Sequence, residues 1–202
     1  AHQRRREAGA EDVPAKLNES EALTAAEEVL GPSDGWIRAY ERYERQEVPR
    51  LVVIPTWQCQ LRCRYCYVAK QDGRVMTERT LERAVELLLS SHRRQLMLQY
   101  FGAEPLMEYG LVQHGIEYGT RRAAETGQSV SFVLSSNGWG LDAERLRWLS
   151  DHPVKLELSL DGDAHSQNLN RCAADPFADS YELSIARHAE HIFASGLEHE
   201  AI

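Results

Sequence analysis

The chain has 202 residues, 43% hydrophobic and 27% charged, and carries a net charge of −8. That length suffices for one ordinary domain with a real core, and no apolar run approaches the ~18–20 residues that cross a bilayer. The acidic balance argues against a broad nucleic-acid surface, which needs clustered Lys and Arg.

The first stretch, AHQRRREAGAEDVP, has arginines but no apolar segment behind them, so it does not read as a secretory signal. Residues 1–18 are charged and read as poorly ordered. Ser20 is placed to cap a helix running to Leu30 and ended by Gly31-Pro32. Trp36, Ile37, Tyr40 and Tyr43 follow at helical spacing and read as a packing face. Residues 1–50 are therefore expected to be an N-terminal extension, partly disordered and then helical.

From Leu51 the pattern alternates between strand and helix. Leu51–Ile54 is an apolar run that reads as a buried strand and breaks at Pro55. Thr77 reads as an N-cap, with Met76 and Leu81 as a hydrophobic staple. Leu81, Ala84, Val85, Leu88 and Leu89 continue the helical period. Gln95–Phe101 is the second strand, and 105–126 a helix stopped by Gly127. Ser129–Ser135 is the third strand, 142–150 a short helix, and Val154–Leu160 the fourth strand. Asp179 with Glu182 resembles a capping box. It opens one helix through Tyr181, Ile185, Ala189, Ile192 and Phe193, closed by Gly196.

Four βα units predict an α/β fold with parallel strands and right-handed crossovers: a partial (β/α) barrel over residues 51–202. A fifth strand would begin at Leu197–Ile202. A four-strand arc leaves an edge uncovered, so the sequence reads as a core truncated before strand five, part of a longer chain or completed by a partner.

Behind the first strand lies a loop with Cys59, Cys63 and Cys66 in C-x3-C-x2-C spacing. Four cysteines, three of them in one loop, are not a disulfide framework. Soft thiolates select Fe–S clusters, zinc or Cu(I). A closed structural zinc site needs four ligands, commonly as close pairs, and the next cysteine is Cys172, far along the chain. A cubane held by three cysteines leaves one iron open to a small molecule. Thiolates that hold metal imply a reducing compartment, so a cytoplasmic location is expected.

Ligands of parallel α/β folds gather at the C-terminal ends of the strands, and each other motif sits at such an end. After strand two comes Gly102-Ala103-Glu104-Pro105, a small-residue turn with a carboxylate. After strand three comes Ser135-Ser136-Asn137-Gly138, whose hydroxyls and amide suit ribose. After strand four come Ser159 and Asp161, again suited to ribose hydroxyls, then Gly162, His165, Asn170 and Arg171. An arginine there can clamp a carboxylate.

With Tyr65 just before the third cysteine, this set resembles the radical S-adenosylmethionine (SAM) enzymes over about Val53–Arg171. The S-x-D-G stretch with its following His and Asn-Arg is similar to the peptide- and protein-modifying branch, which includes sulfatase-maturing enzymes. The resemblance implies a [4Fe–4S] cluster on Cys59, Cys63 and Cys66, and SAM chelating the open iron. It implies that Glu104, with Gly102 and Ala103, meets the SAM amino group, although the family has G-G-E-P where Ala103 stands. By the same resemblance, Ser136 and Asn137 occupy the place of a T-N-G motif, Ser159 and Arg171 contact SAM, and Tyr65 lies near the adenine. His165 and Cys172 receive no role.

The implied chemistry is one-electron cleavage of SAM to a 5′-deoxyadenosyl radical that abstracts hydrogen from a peptide or protein. The electron would come from a donor such as flavodoxin or ferredoxin. The alternative is a zinc- or cluster-binding scaffold without catalysis.

Overall fold

A computed structural model of the protein describes residues 49–68 and 73–202. The helices expected in the N-terminal extension lie outside the described residues, apart from Pro49 and Arg50. Gln46–Ile202 forms one compact unit.

Five parallel strands make one sheet in sequence order: β1 (Arg50–Val53), β2 (Gln95–Tyr100), β3 (Ser129–Ser136), β4 (Val154–Leu158) and β5 (Glu198–Ala201). Each strand pairs with the next, Val53 opposite Tyr100, Leu98 opposite Phe132 and Leu134 opposite Leu156. This consecutive winding is that of an open barrel segment, as the sequence predicted.

Alternation along the strands decides the two faces. Leu96, Leu98 and Tyr100 of β2, with Val130, Phe132 and Leu134 of β3 and Val154, Leu156 and Leu158 of β4, join the helices in one core. The intervening residues, Gln99, Ser135, Lys155 and Glu157 among them, belong to the opposite face.

Helix α1 (Glu78–Leu89) starts at Thr77, whose side chain accepts from the Thr80 N–H, and buries Leu81, Val85, Leu88 and Leu89. Helix α2 (Tyr109–Thr126) is preceded by a 3-10 turn, Pro105–Glu108, and ends at Gly127 in the left-handed region (φ 69°). Helix α3 (Ala143–Ser150) is capped by the Asp142 carboxylate.

Three differences from the sequence reading concern the C-terminal third. The loop after β4 contains a helix the sequence did not reveal, α4 (Ala164–Asn170), capped by Asp163. The single helix expected after Asp179 is broken into α5 (Ser180–Ser184), a 3-10 turn (Ala186–His188) and α6 (Ala189–Ala194). The break has a packing cause. The backbone carbonyl of Ser184 is pressed so close to Gly138 that a Cβ there would lie 2.3 Å from it, and Ser180 and Ser184 are fully buried. The third is the fifth strand, which forms: Glu198–Ala201 pairs with Lys155–Leu158, and Lys155 meets Glu200 at 2.9 Å. The edge expected on β4 therefore passes to β5.

Helix α2 packs tightly against the sheet and α1 at Gly115. A Cβ there would stand 2.3 Å from Tyr100 Oη and 2.6 Å from a methyl of Leu81, both fully buried. Gly115→Ala should cost about 1–3 kcal/mol, the usual range for overpacking. Gly110→Ala in the same helix meets nothing within 4 Å and should be neutral or stabilising by up to about 1 kcal/mol. Urea denaturation of the two variants checks the contrast.

Candidate functional site

The cysteine loop leaves β1 at Ile54 and is fastened on two sides. On one side Thr56 bridges Val75, and the Trp57 N–H donates to the Arg74 carbonyl at 3.1 Å. On the other, segment 170–174 runs antiparallel to it. Arg62 N donates to Cys172 O (2.7 Å), Arg64 N to Asn170 O (2.8 Å) and Ala174 N to Gln60 O (2.8 Å), around a Leu61–Ala173 bridge. Leu61 is fully buried between the cysteines and anchors the loop. Cys172 itself donates its thiol to the Arg62 carbonyl at 2.9 Å; it fastens the loop's backbone. His165 is exposed on α4.

The three cysteines line one cavity of about 300 Å³, together with Tyr65, Gly102, Ala103, Ser136, Asn137, Ser159 and Arg171. Four strand-end segments that the sequence singled out separately thus meet around one space. Ser135, in the turn the sequence reading suited to ribose, also lines it, as do Phe101 and Ile202, which that reading did not assign.

Asp161 and Glu104 lie behind the cavity wall. Asp161 holds Arg171 through Nε at 2.7 Å, both side chains about 15% exposed, and accepts from the Tyr65 hydroxyl at 2.8 Å. The Arg171 guanidinium also stands 5.4 Å over the Tyr65 ring. Burial and the Asp161 hydrogen bond push the Tyr65 phenol well above its usual range, so it stays a donor. With Nε committed, the terminal nitrogens of Arg171 have no partner among the described residues and can receive a ligand carboxylate. Gln167, fully buried, accepts from the Asp161 N–H at 2.8 Å and was not recognised from sequence.

Glu104 is fully buried. One oxygen accepts from Leu106 N (3.0 Å) and the Ser136 hydroxyl (2.7 Å), the other from Asn137 N (2.8 Å). The sequence placed this carboxylate at a ligand's amino group. Its hydrogen bonds join the ends of β2 and β3, and Gly102 and Ala103 beside it line the cavity.

Among the described residues no three His, Cys, Asp or Glu side chains converge as one small ion would require. The three thiols line one cavity, and three cysteines of this spacing suit an iron–sulfur cluster that leaves one iron without a protein ligand.

These features define a barrel-type α/β protein with a cavity at its strand ends lined by three cysteines. The radical SAM superfamily profile matches residues 53–183, and the chain belongs to that superfamily, whose cofactors are an iron–sulfur cluster and SAM. It is 27% identical over 137 residues to a cysteine-type anaerobic sulfatase-maturating enzyme of Clostridium perfringens, covering 59% of this chain and 35% of that one. It is 18% identical over 165 residues to the radical SAM cyclopropyl synthase TigE of Paramaledivibacter caminithermalis, covering 69% and 34%. Among solved structures, native anSMEcpe with bound AdoMet and Cp18Cys peptide superposes with a TM-score of 0.67 at 23% identity, covering 75% of this chain and 42% of that one. The chain spans 34–46% of the length of the curated relatives it matches.

Burial raises the Glu104 carboxyl from 4.5 to about 7, against the lowering pull of the Asn137, Leu106 and Ser136 hydrogen bonds. The folded state therefore keeps a proton that the unfolded chain releases. This contribution to stability is complete below pH 4.5 and is lost as pH rises through about 7. Glu104→Gln should flatten the pH dependence of unfolding between pH 4.5 and about pH 7. Ser136→Ala removes a donor to the carboxylate and should cost about 1–3 kcal/mol, more at high pH than at low. Thermal melts of the cluster-free protein across that range check both.

Proposed function

We propose that residues 51–202 are a radical SAM core that binds a [4Fe–4S] cluster on Cys59, Cys63 and Cys66, with SAM in the adjoining cavity. The observation that carries this reading is the meeting of the three thiols and the other strand-end segments around one cavity. When bound, the cluster and SAM together supply a 5′-deoxyadenosyl radical for hydrogen abstraction.

The chain's own groups position SAM. The free terminal nitrogens of Arg171 take its carboxylate, and the Gly102-Ala103 backbone receives its amino group. Ser159 and the Ser136-Asn137 turn face its ribose, and Tyr65, braced by Asp161, forms a wall beside the adenine. Leu61 and Phe101 exclude water from the apolar flank.

A peptide or protein is the proposed substrate, supported by the S-x-D-G to Asn-Arg stretch and by the sulfatase-maturating relative. The electron comes from a small donor of the flavodoxin or ferredoxin kind, and the working location is the cytoplasm. No helix among the described residues is long and apolar enough to cross a membrane.

Anaerobic reconstitution with iron and sulfide, followed by reduction and low-temperature EPR, tests this. A [4Fe–4S]⁺ signal should appear, change on adding SAM and vanish in Cys63→Ala. A signal indifferent to SAM would favour a scaffold, and one tightly bound zinc with no cluster would overturn the reading. Arg171→Lys should keep the cluster signal and raise the Kd for SAM about tenfold or more, because Lys lacks the planar fork.

A further inference from the structure

The geometry points to Asn137 as a positioning residue that sets the reduction potential of the cluster through Cys59. This rests on the proposed cluster at the three cysteines.

Asn137 opens the turn after β3, is 6% exposed and lines the cavity. Three contacts fix it. Its backbone N–H is held by Glu104 at 2.8 Å, and its side-chain Oδ1 accepts from the Trp139 N–H at 2.8 Å. Its Nδ2 then points at Cys59 Sγ, 3.7 Å away. The Trp139 bond decides the amide's orientation, since reversing it would set NH₂ against N–H and a carbonyl against sulfur. Gly138, at φ 81°, lets the turn lie against the Ser184 carbonyl, which keeps the amide in place.

Cys59 Sγ receives a second donor, the Leu61 N–H at 3.3 Å, from the fully buried residue that anchors the loop. An N–H donated to a ligating sulfur stabilises negative charge there. Reduction adds one negative charge to the cluster, so such a donor favours the reduced form and raises the potential. The sequence reading assigned Asn137 to ribose; its second Nδ2 hydrogen stays available for that contact while the first is spent on sulfur.

An EPR-monitored redox titration of the reconstituted protein is the test, with Asn137→Leu and Asn137→Asp. Asn137→Leu removes the donor at similar size. Asn137→Asp keeps the acceptor for Trp139 N–H but turns a carboxylate oxygen toward sulfur. Both should shift the midpoint to more negative values, Asn137→Asp at least as far. Gly110→Ala, on α2 with nothing within 4 Å of the added methyl, should leave the midpoint at the wild-type value.

A second measurement needs no variant: wild-type protein labelled with ¹⁵N-asparagine should show a ¹⁵N coupling to the reduced cluster in pulsed EPR. A wild-type cluster with an unshifted midpoint in both variants, or without that coupling, overturns the inference and leaves the cluster reading standing. Failure of the wild-type protein to assemble any cluster overturns both.

Discussion

The site depends on one buried carboxylate. Glu104 has no exposure, and its two oxygens accept three hydrogen bonds from two separate segments. Burying an acid this way costs free energy unless its partners are all in place. That requirement makes the contact a gauge of position. The turn after β2 and the turn after β3 can adopt one relative placement, in which Leu106, Ser136 and Asn137 all reach the same side chain. The cavity wall in front of Glu104 and the aim of the Asn137 amide both inherit that placement. A carboxylate in open contact with a ligand would fix neither.

The opposite wall is held by a different device. The cysteine loop belongs to no strand of the sheet, yet it is paired with segment 170–174 by backbone hydrogen bonds on both sides of Leu61. That segment also carries Arg171, so one pairing places the thiols and the guanidinium together. Asp161 completes the connection by accepting from Tyr65 in the loop and Arg171 in the segment. Motion of the loop would therefore break the Tyr65–Asp161 hydrogen bond and the Arg171–Tyr65 ring contact as well as a short backbone ladder. Cys172 contributes here through its backbone and its thiol-to-carbonyl bond. This gives it a structural role that cysteine spacing alone could not suggest.

Much of this was legible in the sequence because it is local. Thr77, Asp142 and Gly127 announce helix ends through their own chemistry, and the apolar alternation of β2 to β4 gives strand order and facing. The cysteine spacing and the strand-end positions of the other motifs pointed to residues that line one cavity in the structure. What stayed hidden depends on contacts distant in the chain. Helix α4, AHSQNLN, has no apolar stripe and rests on its Asp163 cap and on buried Gln167. The break at Ile185 comes from Gly138, over forty residues earlier, overriding a regular helical period. Strand β5, EHEA, has poor strand propensity and is recruited by the open edge of β4 and by Lys155–Glu200. Glu104 reads the same in sequence whether it faces a ligand or the core; its donors at 136 and 137 decide.

The adjacent serines of β3 show how tightly register and chemistry are joined. Ser136 shares the helix-facing side of the strand and donates to Glu104 at 2.7 Å. Ser135 faces the other way, donating to Glu157 at 2.5 Å and accepting from Gln99 at 2.8 Å, while Gln99 is joined to Arg50 of β1. One residue therefore anchors the ligand-side turn, and its neighbour belongs to a polar band across β1 to β4 on the opposite face. A slip of β3 by one position would exchange the two faces. It would bury Ser135 among the leucines of the core, strand Glu104 without its hydroxyl donor, and turn Asn137 away from Cys59. The hydrophobic alternation that specifies the fold is thus the same constraint that assembles the site. A sequence able to fold with β3 in this register brings the cavity's polar groups into place with no further instruction.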